Sequence, residues 1–258
     1  MNEKINDTIF QDTLEMIQNH PILIDSIINS KKQQKLYPFD YPIDIGKKRY
    51  EKTETFVVNK RSFEAASGCE GKVAVLNFAN FYAPCAHYFW GNSQEECLCR
   101  TSTLIDCLFF DESSDDGFYA RHKDIDDPVF NSDILYTSNV TVFKTDTTHP
   151  QLMGESDWYN VDVITCAAPN SYNNPLSNEM TYSIFRERFD RIFRTAIDNQ
   201  ADTLILGAFG CGVFRNNPFI VAQTARHVAS EYDGHLREVV FALPFEDTAF
   251  MKGLFANE

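Results

Sequence analysis

The chain predicts an α/β layered domain built on a mixed, largely parallel sheet. Apolar runs of strand length recur at Lys72–Ala79, Val161–Ala167, Thr203–Ala208 and Glu238–Leu243. Runs that stay apolar, rather than alternating, suit strands covered on both faces. Amphipathic helical segments separate the later runs, which is the βαβ pattern.

The elements follow in order. Residues 8–35 read as helical, with Ile9, Leu14, Ile17, Ile22, Leu23 and Ile27 apolar and Pro21 dividing the stretch into two helices. Tyr37–Pro42 reads as a Pro-rich connection. Thr53–Lys60 reads as a strand, Ser62–Ala66 as a short helix, and Lys72–Ala79 as a buried strand. Gln94–Leu108 reads as one helix, with Cys97, Leu98, Leu104, Ile105 and Leu108 on its apolar face. Residues 111–133, rich in Asp, Ser and Asn, read as an irregular surface excursion. Ile134–Tyr136 and Val140–Lys144 read as two strands, paired as a hairpin over Thr137–Asn139. Glu179–Asn199 is a long helix, with Ile184, Phe185, Phe189, Ile192, Phe193 and Ile197 at helical spacing. Phe219–Tyr232 is the last expected helix. No repeat or linker interrupts the pattern, so one domain over 1–258 is expected, with a helical extension over about 1–50.

Composition narrows the function. The 258 residues include 23 basic and 37 acidic side chains, a formal charge of -14. Such a chain lacks the basic footprint of nucleic-acid binding and is disfavoured on anionic membranes. An anionic ligand must then be held locally, by backbone N–H groups and helix N-termini. Seven cysteines occur without a CxxC pair or metal-ligand spacing, which fits reduced thiols in the cytoplasm, or in the nucleus of a eukaryote. The start, Met1-Asn-Glu-Lys-Ile-Asn, is too polar for a secretory signal. No run approaches the ~20 apolar residues of a membrane span.

Three strands run into polar or Gly-rich loops: Val75–Asn80, Ile164–Asn170 and Leu206–Asn217. Ligands of α/β sheets sit at the carboxyl ends of strands, so these loops predict one cleft. Gly207-Ala-Phe-Gly-Cys-Gly lacks both the GK[ST] of a Walker A loop and the GxGxxG spacing. Its glycines still allow close backbone approach and N–H groups turned toward a phosphate. Phe214 either stacks on a ligand or packs in the core. Gln94-Glu95-Glu96 falls at a helix start, where carboxylates complement the dipole; beside a ligand, an adjacent pair can raise one pKa and supply a general acid. Cys99 is a poor nucleophile, lying within the helix with no evident His partner. His87 is either a ligand contact or a surface ring.

Taken together, these loops resemble the bacterial-type poly(ADP-ribose) glycohydrolases, which are divergent macrodomains. The residues that carry the resemblance are Asn77-Phe78-Ala79, Gln94-Glu95-Glu96, Val163–Asn170 and the long stretch Gly207–Pro218. The resemblance runs from the first helices to Leu243. It implies a macrodomain-like three-layer α/β/α fold and a glycosidase without metal or other cofactor. Glu96 would be the catalytic acid, Glu95 would hold ribose hydroxyls or the neighbouring chain, and Gln94 would orient the pair. Asn77, Ala79 and His87 would line the substrate, with Asn77 on the distal ribose. Gly210, Cys211, Gly212, Val213 and Phe214 would cradle the diphosphate and pack on the ribose. The implied partners are ADP-ribose, poly(ADP-ribose) and ADP-ribosylated protein, with no membrane or direct nucleic-acid contact, and a monomer is expected. The alternatives are a non-catalytic ADP-ribose-binding macrodomain and a hydrolase of another ADP-ribose derivative. One departure stands out. Where the family carries three glycines, this chain has Cys85-Ala86-His87. Three Cβ atoms restrict φ and fill space, so that loop is expected to follow a different path.

Overall fold

The computed structural model describes residues 2–123, 129, 131–244 and 247–255. Helices α1 (Asn2–Asn19) and α2 (Pro21–Gln33) come first. Pro21 takes the first position of α2, where its missing N–H has no intrahelical partner to lose. Next come β1 (Lys35–Tyr37), β2 (Glu54–Val58), α3 (Ser62–Ala66) and β3 (Val73–Ala79). Helices α4 (Gln94–Thr101) and α5 (Leu104–Glu112) precede β4 (Ile134–Val142) and β5 (Tyr159–Ala167). The chain ends with α6 (Asn178–Asp198), β6 (Thr203–Leu206), α7 (Pro218–Glu231), β7 (Glu238–Ala242) and α8 (Thr248–Phe255).

The seven strands form one sheet in the order β1-β4-β5-β3-β6-β7-β2. Strands β5, β3, β6, β7 and β2 run parallel, whereas β4 is antiparallel to both β5 and β1. Alternate residues of β3 enter different cores. Val73, Val75 and Ala79 pack with α1 to α5, and Ala74 and Leu76 pack with α6, α7 and α8. The expected α/β/α layering is therefore present. The first helices bury Phe10, Ile17, Leu23 and Ile27 in the same core as β3 and α4.

Several local expectations need correction. The stretch 94–108 is two helices, because Ser102 is extended (φ -149°, ψ 177°) and bridges Val142. The Thr103 N–H then donates to the Thr141 carbonyl at 3.0 Å, so strand pairing interrupts the helical ladder. The hairpin over Thr137–Asn139 is instead one strand, β4, with a bulge between Thr137 and Val140. Asn139 takes the left-handed conformation there, φ 54°, which Asn tolerates better than most residues, and its N–H donates to Asp162 Oδ1 at 2.9 Å. The connection at Tyr37–Pro42 follows a short edge strand, and α8 lies beyond the last expected element. Of the excursion 111–133, residues 124–128 and 130 lie outside the described residues. The rest is not all surface: Phe118, Tyr119 and His122 are fully buried, and the Asp111 carboxylate accepts from the Phe118 and Tyr119 N–H groups at 3.1 and 3.3 Å.

Arg188 of α6 joins that segment to the end of β5. Its guanidinium is fully buried and donates to the carbonyls of Ala167 (3.0 Å), Val129 (2.6 Å) and Asn131. Replacing it leaves one buried and two part-buried acceptors without this donor, at about 1 kcal/mol each. Arg188→Ala is expected to lower unfolding stability by about 3 kcal/mol. Urea denaturation checks this, and a loss below about 1 kcal/mol would contradict the assigned role.

Candidate active site

The site begins where β3 ends and α4 begins. Asn77, fully buried on β3, donates from Nδ2 to Glu95 Oε1 at 3.1 Å and to Thr165 Oγ1 at 3.3 Å. Glu95 Oε2 accepts from the N–H groups of Asn80 and Cys85, both at 3.0 Å. Gln94 accepts from the Phe78 N–H at 2.9 Å and donates to the Leu76 carbonyl at 2.7 Å and to Ser62 Oγ at 3.0 Å. The first residues of α4 are thus sewn to the strand end and to α3.

Glu95 and Glu96 then differ in kind. Glu95 is 2% exposed, and burial pushes its pKa up to about 8 against the hydrogen bonds that favour its charged form. Glu96 is 9% exposed, and its Oε2 has no hydrogen-bond partner. Burial raises its pKa too, opposed by contacts at the helix start, Ser93 among them, and by the Arg100 charge. Arg100 also fixes the preceding turn, donating from one nitrogen to the carbonyls of Phe89 (2.7 Å) and Gly91 (2.6 Å). Gly91 sits close to the acid: a Cβ there would lie 3.2 Å from the Glu96 carboxyl carbon, so a side chain would press on that carboxyl.

The cleft that Glu96 faces has a volume of about 760 Å³, which suits a nucleotide-sized ligand. Its far wall is the loop after β6. Gly210 (φ 72°) cannot carry a side chain, because a Cβ would fall 2.5 Å from Ala168 Cβ and 2.9 Å from Asn216 Nδ2. Asn216 clamps the loop, donating to the carbonyls of Pro169 and Gly210, both at 2.8 Å. Gly212 is different: a Cβ would meet nothing within 4 Å. Its bare backbone borders the cleft, and the N–H groups of Gly210, Gly212, Val213 and Phe214 have no protein acceptor among the described residues. Unpaired N–H groups in one loop are what an anion needs in a chain of net charge -14.

The Cys85-Ala86-His87 segment forms a tight left-handed turn. All three residues are left-handed, with φ of 54°, 47° and 60°, which is the conformation glycine adopts freely. The Cβ atoms have not driven the backbone out of it. A left-handed non-glycine residue costs roughly 1–2 kcal/mol. The turn is held by the Cys85 N–H on Glu95, by the Tyr88 N–H on the Cys85 carbonyl (2.8 Å) and by His87 Nε2 against Glu112 Oε1 (2.8 Å).

Most of the expected site residues meet in this cleft. Ala79, Gln94, Glu95, Glu96, Gly210, Cys211, Gly212, Val213 and Phe214 line it. Phe214 borders the cleft and packs on the core. Two residues lie elsewhere. Asn77 is behind the wall, spent on Glu95 and Thr165, and His87 points to Glu112 at the surface. Sequence reading missed Arg61 and Asp146, which also line the cleft. Asp146 lies in a polar loop that carries no motif; its carboxylate accepts from the Phe63 N–H at 2.9 Å. No group of side chains among the described residues is arranged to hold a metal ion.

A carboxylic acid on one wall and an anion-holding loop on the other is the division of labour of a glycosidase acting on a diphosphate sugar. The chain belongs to the family of microbial-type poly(ADP-ribose) glycohydrolase (PARG) catalytic domains, whose model matches residues 11–145. It is similar to the poly(ADP-ribose) glycohydrolase of Thermomonospora curvata, with 25% identity and a TM-score of 0.85 over 96% of this chain and 98% of that one. The same enzyme bound to the inhibitor ADP-HPD aligns with 26% identity and a TM-score of 0.82, over 96% and 98% of the two chains. The Deinococcus radiodurans enzyme in complex with ADP-ribose aligns with 26% identity and a TM-score of 0.79, over 88% of this chain and 96% of that one. Comparison with curated proteins gives no match. The loop after β6 lies beyond the family match, but the structural alignments span nearly the whole chain.

Gly212→Val tests the loop. The fold has room for the side chain and the cleft does not, so the thermal midpoint is expected to stay within a few degrees while ADP-ribose affinity falls at least about tenfold. Calorimetric titration of the folded variant checks this, and unchanged affinity would remove Gly212 from the ligand wall.

Proposed function

We propose that the chain hydrolyses O-glycosidic ADP-ribose linkages, in poly(ADP-ribose) or on ADP-ribosylated protein, with Glu96 as general acid. The observation that carries the assignment is the Glu96 carboxyl: at the cleft wall, nearly buried, and with Oε2 unpartnered. Burial favours its protonated form, which a leaving alkoxide requires. Glu96 gives its proton to the oxygen that joins the distal ribose to the rest of the substrate. That C–O bond breaks through an oxocarbenium-like state, and water adds to the anomeric carbon. The water proton returns to the Glu96 carboxylate, restoring the acid. Glu95, with three donors on its oxygens, positions the strand end and the helix start. Asn77 acts through Glu95 as a positioning residue rather than on the ribose. The loop Gly210–Phe214 takes the diphosphate through its free N–H groups. The chain acts as one domain in which α1 and α2 support the site. No described helix is long and apolar enough to cross a membrane; the reading places the enzyme in the cytoplasm, where its seven unpaired cysteines stay reduced.

The first test is ADP-ribose release from poly(ADP-ribosyl)ated protein. Glu96→Gln is expected to lose roughly 10²–10⁴-fold in kcat while keeping its affinity for ADP-ribose. Micromolar-range binding with no release by the unaltered chain would make it a reader of ADP-ribose instead.

A second test is the pH profile. The acid works only when protonated, so kcat is flat below the raised Glu96 pKa and falls as pH climbs through it. The fall should be about tenfold per unit and set in above the ordinary carboxylate value of about 4.3. A kcat that rises through the same range would exclude Glu96 as the acid.

A further inference from the structure

We propose that Tyr88 and Trp90 form a leaving-group subsite, a stacking surface for the adenine of the ADP-ribose unit left on the polymer after cleavage. The inference rests on the glycohydrolase reading and makes the polymer, rather than a protein side chain, the preferred substrate.

The turn that carries these rings lies beside Glu96, since a Cβ on Gly91 would come 3.2 Å from the Glu96 carboxyl carbon. Tyr88 is 61% exposed and borders the cleft; Trp90 is 36% exposed and stands perpendicular to it, ring centroids 5.4 Å apart. Their exposure is not looseness, because every residue around them is anchored. Phe89, between the two, stacks on Phe10 of α1 at 4.4 Å and 5° and meets Phe109 edge-on at 5.5 Å. Arg100 holds the carbonyls of Phe89 and Gly91, and Asn6 of α1 donates to the Trp90 carbonyl at 2.8 Å. Single exposed aromatics are ordinary. Two adjacent ones on a fixed turn beside a catalytic acid are a surface with a use.

The chemistry names the occupant. Glu96 protonates the oxygen of the leaving group, so the leaving group starts within hydrogen-bond reach of Glu96. In poly(ADP-ribose) that oxygen belongs to an adenosine ribose, and its base lies one sugar away. A base offers a π-face, and stacking is a neutral grip, which suits a protein of net charge -14.

The test measures affinity of the Glu96→Gln chain for ADP-ribose and for its dimer, alone and with Tyr88→Ala and Trp90→Ala added. The dimer should bind roughly tenfold more tightly than ADP-ribose, and the added substitutions should erase that advantage while leaving ADP-ribose affinity unchanged. Tyr88→Phe should retain it. Equal affinity for the two ligands in the Glu96→Gln parent, or a dimer advantage that survives both substitutions, overturns the subsite. Failure of the underlying reading looks different: no ADP-ribose binding at all, which would overturn both.

Discussion

The Glu95 carboxylate is the knot on which the active site depends. It is buried, and it draws donors from three places: Asn77 within β3, the Asn80 N–H just past the strand, and the Cys85 N–H in the left-handed turn. An apolar side chain of the same size would leave the Asn80 and Cys85 N–H groups unpaired, at about 1–3 kcal/mol each. The knot sets the rotation of α4 about its axis. With Glu95 committed to the protein, the next residue, Glu96, is carried toward the cleft. One carboxylate is thus consumed by structure, while its neighbour keeps one oxygen without a partner. That is the physical content of an adjacent glutamate pair here: two environments one residue apart, not two acids sharing a task.

The same knot opposes the strain of Cys85-Ala86-His87. Three left-handed residues in succession cost several kcal/mol by the usual per-residue figure of about 1–2. Hydrogen bonds at both ends of the turn and the His87–Glu112 contact work against that cost. Glycine would adopt the turn without them. The conformation therefore belongs to the site rather than to the residue type, and the surroundings over-determine it. Side chains at these positions also change the loop from a bare backbone surface to a decorated one: Cys85 is buried beneath it, Ala86 borders the cleft, and His87 ties it to α5.

Legibility in the sequence followed locality. The buried strands and the helices α6 and α7 showed in their apolar periodicity, with bounds shifted by only a residue or two, whereas the first helix starts six residues earlier than its apolar pattern, at Asn2. Glu96 and the loop from Gly210 to Phe214 stood out through the family resemblance, since the Glu pair alone reads equally as a helix start; the structure brings them to one cleft. What failed was long-range. Ser102 breaks a helix by pairing with Val142, and Thr137–Asn139 bulges within one strand because Asp162 of the neighbouring strand takes the Asn139 N–H. Neither partner is visible in the local pattern. Asn77, which the family resemblance sets on the distal ribose, lies fully buried and donates to Glu95 and Thr165, contacts that no local pattern announces.

The first helix shows most clearly how far from the chemistry the site begins. Helix α1 reads in the sequence as an appended amphipathic segment. In the structure, Phe10 is the stacking partner of Phe89, Asn6 holds the Trp90 carbonyl, and Thr13 accepts from the buried Lys144 ammonium at 2.8 Å. Through these contacts the helix sets the floor under the turn that presses on Glu96. Burial raises the Glu96 pKa, and the packing behind that burial extends from the strand end, through the aromatic turn, to the first helix.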